Sequence, residues 1–269
     1  MYELRKVHPV FSLSLFTLKL FLVPAMVAAV TLASRRWGPA VGGLLAGLPL
    51  VAGPTLFFFA LEQGEPFAAQ AAGATLVGLI AVAAFCLAYA WLSVAVSWVV
   101  ALPVSWLVFG AVSIPLNLFS WPPLVALVVA AGSFALARWL LPSVGAAPPP
   151  LIPPLWDLPL RMGAAAALVL SVTYVATRVG PTVSGALTPI PSVLAIVVAF
   201  VHAQQGRAGV IHFLRGFLPA IWTFAVFCFI LQAVLVPLGR YLGFLLATTV
   251  QSVVHSLVLR AMRRAPRRP

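Results

Sequence analysis

Few side chains in this sequence are able to do chemistry, and their spacing narrows what that chemistry is. The 269 residues hold four acids, four histidines and two cysteines. Cys86 and Cys228 stand alone inside apolar runs without CxxC or Cys/His spacing, which predicts neither a disulfide framework nor a metal site. There is no paired-carboxylate motif, His cluster or Ser/His/Asp set, and acids are too scarce for metal-assisted phosphoryl chemistry. The expectation is therefore a protein that is not an enzyme and carries no cofactor. What remains suits binding and proton movement. Glu62 is a candidate proton carrier beside Gln63, and Gln204 and Gln205 form a similar pair later in the chain. Lys19 and Arg161 are candidates for contacting a substrate anion, with snorkelling to headgroups as the competing role, and His212 with Arg215 divides the same way. Gln251 and His255, four apart, share one helical face suited to interhelical hydrogen bonding.

The elements that must position these groups follow from composition. The chain is 63% hydrophobic and only 7% charged, with a mean hydropathy of +1.12; a soluble domain carries about 25% charged residues. Apolar stretches of about 20 residues recur from Leu13 to Leu259, which predicts an all-α polytopic membrane protein. Arg5 and Lys6 precede an apolar run too long, and too interrupted by Lys19, for a cleaved signal peptide. The net charge of +12 speaks of topology and lipid headgroups rather than nucleic acid. Arg260, Arg263, Arg264, Arg267 and Arg268 read as a cytoplasmic anchor on anionic lipid. Trp91, Trp98, Trp106, Trp121, Trp139, Trp156 and Trp222 fit interfacial belts or packing. Arginine greatly outnumbers lysine beside abundant Ala and Pro, the usage of a high-GC bacterial genome, so the expected location is a bacterial inner membrane.

Laid on itself at an offset of 142 residues, the chain repeats. Residues 36 to 64 match residues 178 to 206 at eleven of 29 ungapped positions, where so biased a composition gives roughly one in ten by chance. The identities include Arg36/Arg178, Gly38/Gly180, Pro39/Pro181, Gly43/Gly185, Pro49/Pro191, Phe58/Phe200, Gln63/Gln205 and Gly64/Gly206. The same offset pairs Lys19 with Arg161 and Phe85-Cys86 with Phe227-Cys228. Hydropathy and breakers predict nine helices, near 13–33, 38–61, 68–90, 93–112, 123–142, 159–177, 182–203, 209–233 and 238–261. The expected organisation is a first repeat over 1–142, a Pro-rich linker over 143–157, a second repeat over 158–262 lacking one helix, and a basic tail over 263–269.

Five crossings between Gly38 and Gly180 put the two copies on opposite faces, an inverted-topology repeat. The positive-inside rule favours an outside N-terminus and a cytoplasmic C-terminus, with Arg35/Arg36, Arg138/Arg161 and Arg207 inside and Glu62/Glu65 outside; Arg5, Lys6, Arg178 and Arg240 disagree. The second helix of each copy is broken by Gly and Pro. Pro49 cannot donate to the Leu45 carbonyl, and Pro54 frees Leu50 likewise. Hydrocarbon does not tolerate unpaired backbone groups, so such breaks face other helices or a wet cavity. The expected substrate site is accordingly Gly47, Pro49, Gly53, Pro54 and Thr55 in one copy, with Pro189, Pro191 and Ser192 in the other. A helix restarting at Gly53-Pro54-Thr55 would offer free N–H groups to an anion.

The chain resembles, in architecture only, inverted-repeat secondary transporters with discontinuous helices. That resemblance implies a small transporter moving an anionic or zwitterionic solute by alternating access, with proton coupling as an option. The alternative is a non-catalytic scaffold or assembly subunit of a larger membrane complex. The expected partners are the bilayer and a small solute, with a homodimer as a further option.

Overall fold

Glycine or proline stands at most of the helix boundaries in this chain, where it interrupts the helical hydrogen-bond ladder. In the computed structural model, residues 9–49, 51–146, 148, 156–176 and 191–264 are described. They form α1 (Pro9–Trp37), α2 (Pro39–Ala46), α3 (Ala52–Glu62), α4 (Glu65–Ala95), α5 (Trp98–Leu116), α6 (Pro123–Trp139), α7 (Asp157–Ala176) and α8 (Ser192–Arg264), with no strand among the described residues. Non-helical dihedrals at Gly206 (φ 62°) and Gly239 (φ 73°) divide α8 into segments 192–205, 207–238 and 240–264. Gly64 breaks the chain before α4 in the same way (φ 89°), followed by Pro66 in the first turn. Only glycine takes such angles without strain, and proline is at home where a helix begins.

Eight helical elements are therefore found among the described residues where spacing predicts nine. The expected 38–61 span is two helices, α2 and α3, while the last three expected spans run together as α8 because a single glycine, not a loop, separates each from the next. The expected linker also ends one residue early, since Asp157 opens α7. Leu20–Trp37, α4, α5 and α8 are long and apolar enough to cross a membrane; α3 and α6 are shorter apolar helices.

The centre of the bundle is α4 against segment 207–238, with Phe85, Tyr89, Phe213, Phe217 and Phe227 fully buried between neighbours. Packing here is van der Waals contact between close backbones. A methyl group added at Gly43 of α2 would overlap the Phe213 carbonyl oxygen, and one at Gly216 would overlap the Ala40 carbonyl oxygen. The two helices touch backbone to backbone.

Polar contacts fix which helix ends lie together. Arg35, at the end of α1, binds Asp157 at the start of α7, and Asp157 in turn binds Arg161 and Gln204. Trp91, late in α4, donates to the Leu140 carbonyl just past α6 (3.1 Å), and Arg138 donates to the Arg215 carbonyl (2.7 Å). Tyr89 meets His202 at 3.4 Å. These contacts gather Arg35, Arg36, Arg138, Arg161, Arg207 and Arg215 at one end of the bundle, together with exposed Trp37, Trp91, Trp98, Trp139 and Trp156. Trp106, Trp121 and Trp222 instead pack on the core.

The opposite end is marked by Glu65, which accepts from Arg240 Nε at 2.6 Å. Segment 207–238, about 48 Å of helix at 1.5 Å per residue, separates this pair from Gly206. Both partners are partly hydrated, and such pairs add little to stability; its value is as a tie between α4 and segment 240–264.

Candidate functional site

The break between α2 and α3 has a definite local cause. Gly47 ends α2 with its N–H on the Gly43 carbonyl (3.1 Å), Leu48 closes onto Leu45 (3.2 Å), and Pro49 has no N–H to carry the ladder on. The helix restarts at Ala52, one residue ahead of the expected Gly53, and this corrects the expected anion-attracting end. Gly53 donates to the Pro49 carbonyl at 2.8 Å, Thr55 donates to the Val51 carbonyl at 3.2 Å, and Pro54 between them has no N–H. The donors of the first turn are largely used within the turn itself.

Beside this break lies a cavity of about 690 Å³. Leu48, Pro49, Gly53, Pro54, Phe57 and Phe58 form one wall, and Phe227, Phe244, Thr248, Gln251, Ser252, His255 and Ser256 the other. Its depth follows from helix rise. Gln251 stands about 17 Å of helix from Arg240, and Gly53 about 14 Å from Glu62, each about half the 30 Å thickness of a bilayer core. Phe57 and Phe244 meet edge to face with centroids 5.1 Å apart, so the apolar part of the lining is itself packed across α3 and segment 240–264. The polar part lies on segment 240–264. Gln251 is buried, and the hydroxyls of Ser252 and Ser256 donate back to Thr248 and Ser252 carbonyls at 2.7 and 2.8 Å. His255 Nδ1 meets Thr223 Oγ1 at 3.3 Å, tying the wall to segment 207–238. Among the described residues, no side chain of the lining is a carboxylate, lysine or arginine.

Three of the expected site residues, Pro49, Gly53 and Pro54, are brought together here. Gly47 serves packing instead: a methyl there would stand 2.6 Å from Ala220 Cβ and 2.8 Å from the Ile221 nitrogen. Thr55 is buried with its hydroxyl on the Val51 carbonyl (2.9 Å). Pro191 accepts from the Ala195 N–H at 2.8 Å and Ser192 opens α8; neither lines the cavity. Pro189 and the side chain of Lys19 lie outside the described residues. Glu62 is half-buried at the end of α3, and the N–H of Gln63 caps that helix on the Phe59 carbonyl at 2.8 Å.

Arg161 and Gln204 meet at the arginine end, away from the cavity. Arg161 does not snorkel. It is 3% exposed, donates from Nε to Asp157 at 2.8 Å and from Nη2 to Gln204 Oε1 at 2.7 Å, and its guanidinium lies 4.6 Å from the Phe200 ring centroid. A buried cation keeps its charge only where acceptors and a π face replace water, and here both are present. Gln205 turns its Oε1 into the interior without a hydrogen-bond partner. Arg215 and His212 hold the 142–145 stretch through the Pro142 and Gly145 carbonyls.

The second wall is the part that sequence reasoning misses. Gln251 and His255 are readable as one polar face, and Thr248, Ser252 and Ser256 continue it at helical spacing, which is the available signal. Nothing in the sequence says that this face lies opposite Pro49. Comparison with protein-family models, curated proteins and solved structures gives no match, so the site is read from its own geometry.

Proposed function

We propose that this protein is a small secondary transporter of a bacterial inner membrane, moving a small anionic or zwitterionic solute by alternating access. The observation that carries the reading is the cavity at mid-helix depth, built where α2 breaks and faced by hydrogen-bonding side chains. A discontinuous helix beside a mid-membrane cavity is the usual setting of a transporter's substrate site. Among the described residues, a lining without carboxylates disfavours a cation cage and leaves the Gln251 amide to meet a solute's acceptor atoms.

Two further observations support inverted repeats. Gly64 and Gly206, partners in the duplication, both take positive φ before a long helix, and they lie at opposite ends of the bundle. One end gathers arginines and exposed tryptophans, while the other has Glu62, Glu65 and a single described arginine, Arg240, already paired. By the positive-inside rule the arginine end, where segment 240–264 also finishes, is cytoplasmic. Contacts join the two halves at each end: Arg35 to Asp157 on the cytoplasmic side, Glu65 to Arg240 outside. Rocking one half against the other would open one tie while keeping the other.

The test uses a protein with Cys86 and Cys228 replaced by alanine and a single cysteine at Ser252, reconstituted in liposomes. An impermeant thiol reagent is expected to modify position 252 from either side. Adding Glu65→Cys and Arg240→Cys and closing their disulfide before opening the test thiol is expected to stop modification from the outer side while leaving it from the inner side. Modification from one side only, unaffected by the outer cross-link, would overturn alternating access and favour a scaffold.

A further inference from the structure

We propose that His255 is the proton-binding group of the cavity, with Nε2 as the reacting atom, and that the solute carried with the proton is a small monocarboxylate with an apolar body. The proposal deepens the transport reading and rests on it.

One hydroxyl sets the tautomer of this ring. Thr223 is fully buried and its Oγ1 donates its single hydrogen to the Ala220 carbonyl at 2.7 Å. Toward His255 Nδ1, 3.3 Å away, the same oxygen is then an acceptor. Nδ1 must therefore carry the hydrogen, and in the neutral ring Nε2 keeps its lone pair. His255 lines the cavity, and with Nδ1 engaged on Thr223 it is Nε2 that is left for a solute. A proton entering the cavity forms a bond with that lone pair and the ring becomes imidazolium. No other bond is made or broken, and the proton leaves from the same atom.

The surroundings decide which ion accompanies the proton. Among the described residues of the cavity lining contributed by α3, the α2–α3 break and segment 207–238, no side chain is acidic or basic. On its own segment, Arg260 stands five residues further on and is exposed, and Arg240 is paired with Glu65. An imidazolium in such a place needs a partner anion, because an unpaired charge in a low-dielectric site is costly. A carboxylate meets that need and takes a second hydrogen bond from the Gln251 amide. Phe57, Phe58, Phe227 and Phe244 enclose an apolar body rather than a second polar group. Proton and anion would then enter as a neutral pair.

The test is ring-15N-histidine NMR of the whole protein in bicelles, with His255→Gln used to assign the signal and benzoate as the probe anion. Above its titration midpoint His255 is expected in the Nδ1–H form, and Thr223→Val, which keeps the side-chain volume, is expected to shift it toward the Nε2–H form. The apparent Kd for benzoate is expected to rise tenfold for each pH unit above that midpoint, a slope that His255→Gln removes. An Nε2–H ring in the unmodified protein, or an Nδ1–H ring that persists in Thr223→Val, overturns the assignment. A slope that survives in His255→Gln overturns the proton role, and absence of benzoate binding overturns the carboxylate class. None of these readouts needs solute to cross the membrane, so failure of the alternating-access test is separable from failure here.

Discussion

Gly216→Val is expected to be among the most damaging single changes in the helix bundle, costing about 3 kcal/mol, the upper end of the range for overpacked cores. The reason is the identity of the atoms in the way. A Cβ at position 216 would overlap the Ala40 carbonyl oxygen and stand 2.7 Å from the Ala40 carbonyl carbon. Side chains can turn aside; these backbone atoms can move only if α2 shifts as a whole. Gly43→Val meets the same obstacle from the other helix, with the Phe213 carbonyl carbon at 2.8 Å and the Phe217 nitrogen at 2.9 Å. Since α2 also supplies the break that bounds the cavity, the loss extends to the site. Gly132→Ala and Gly163→Ala are the controls. An added methyl there meets nothing within 4 Å, and each should leave stability within about 1 kcal/mol of the parent, on the favourable side. Thermal unfolding in detergent followed by circular dichroism measures all four; a Gly216→Val protein as stable as the controls would refute the backbone contact.

Asp157→Ala is expected to cost about 3 kcal/mol or more, the range for removing one partner of a buried ion pair. Asp157 is wholly buried and its two oxygens accept from Arg35, Arg161 and Gln204. Removing it leaves the Arg161 side chain, itself only 4% exposed, without a counter-charge, whereas the Arg35 side chain at 24% retains some water. The damage should therefore track the stranded charge more than the lost carboxylate. Asp157→Asn should be nearly as harmful as Asp157→Ala, and adding Arg161→Gln to Asp157→Asn should recover at least half of the loss. The same melting experiment decides this, and a double variant less stable than Asp157→Asn alone would contradict it.

These two sites show what is legible in the sequence and what is not. Pro49 and Pro54 announce the broken helix because a missing N–H is a local property, and Pro49, Gly53 and Pro54 do border the cavity. Gly43 and Gly216 carry no local sign of their contact, since the backbone that demands each is 170 residues or more away in the chain, at Phe213 for Gly43 and at Ala40 for Gly216. The prolines before Asp157 mark it as the end of a wet linker. Its burial follows from Arg35 and Arg161, and only the fold brings Arg35 there. The same holds for Arg161, where a flexible cation near a helix end suggests snorkelling and the structure supplies Asp157, Gln204 and the Phe200 ring instead. Helix number departs from expectation for a physical reason as well: a single positive-φ glycine, at 206 or 239, redirects the chain with no loop, so spacing and hydropathy register an ordinary interruption.

The proposed transport by alternating access turns most directly on whether the two matching stretches of sequence lie on opposite sides of the membrane. Single cysteines at Gln63 and Arg207, both exposed beside the repeat partners Gly64 and Gly206, are introduced in turn into the Cys86→Ala, Cys228→Ala protein and labelled in intact cells with a membrane-impermeant thiol reagent. Inverted repeats predict that position 63 is labelled from outside and position 207 only after the membrane is opened. Labelling of both from the same side would make the repeats parallel and contradict the inverted arrangement.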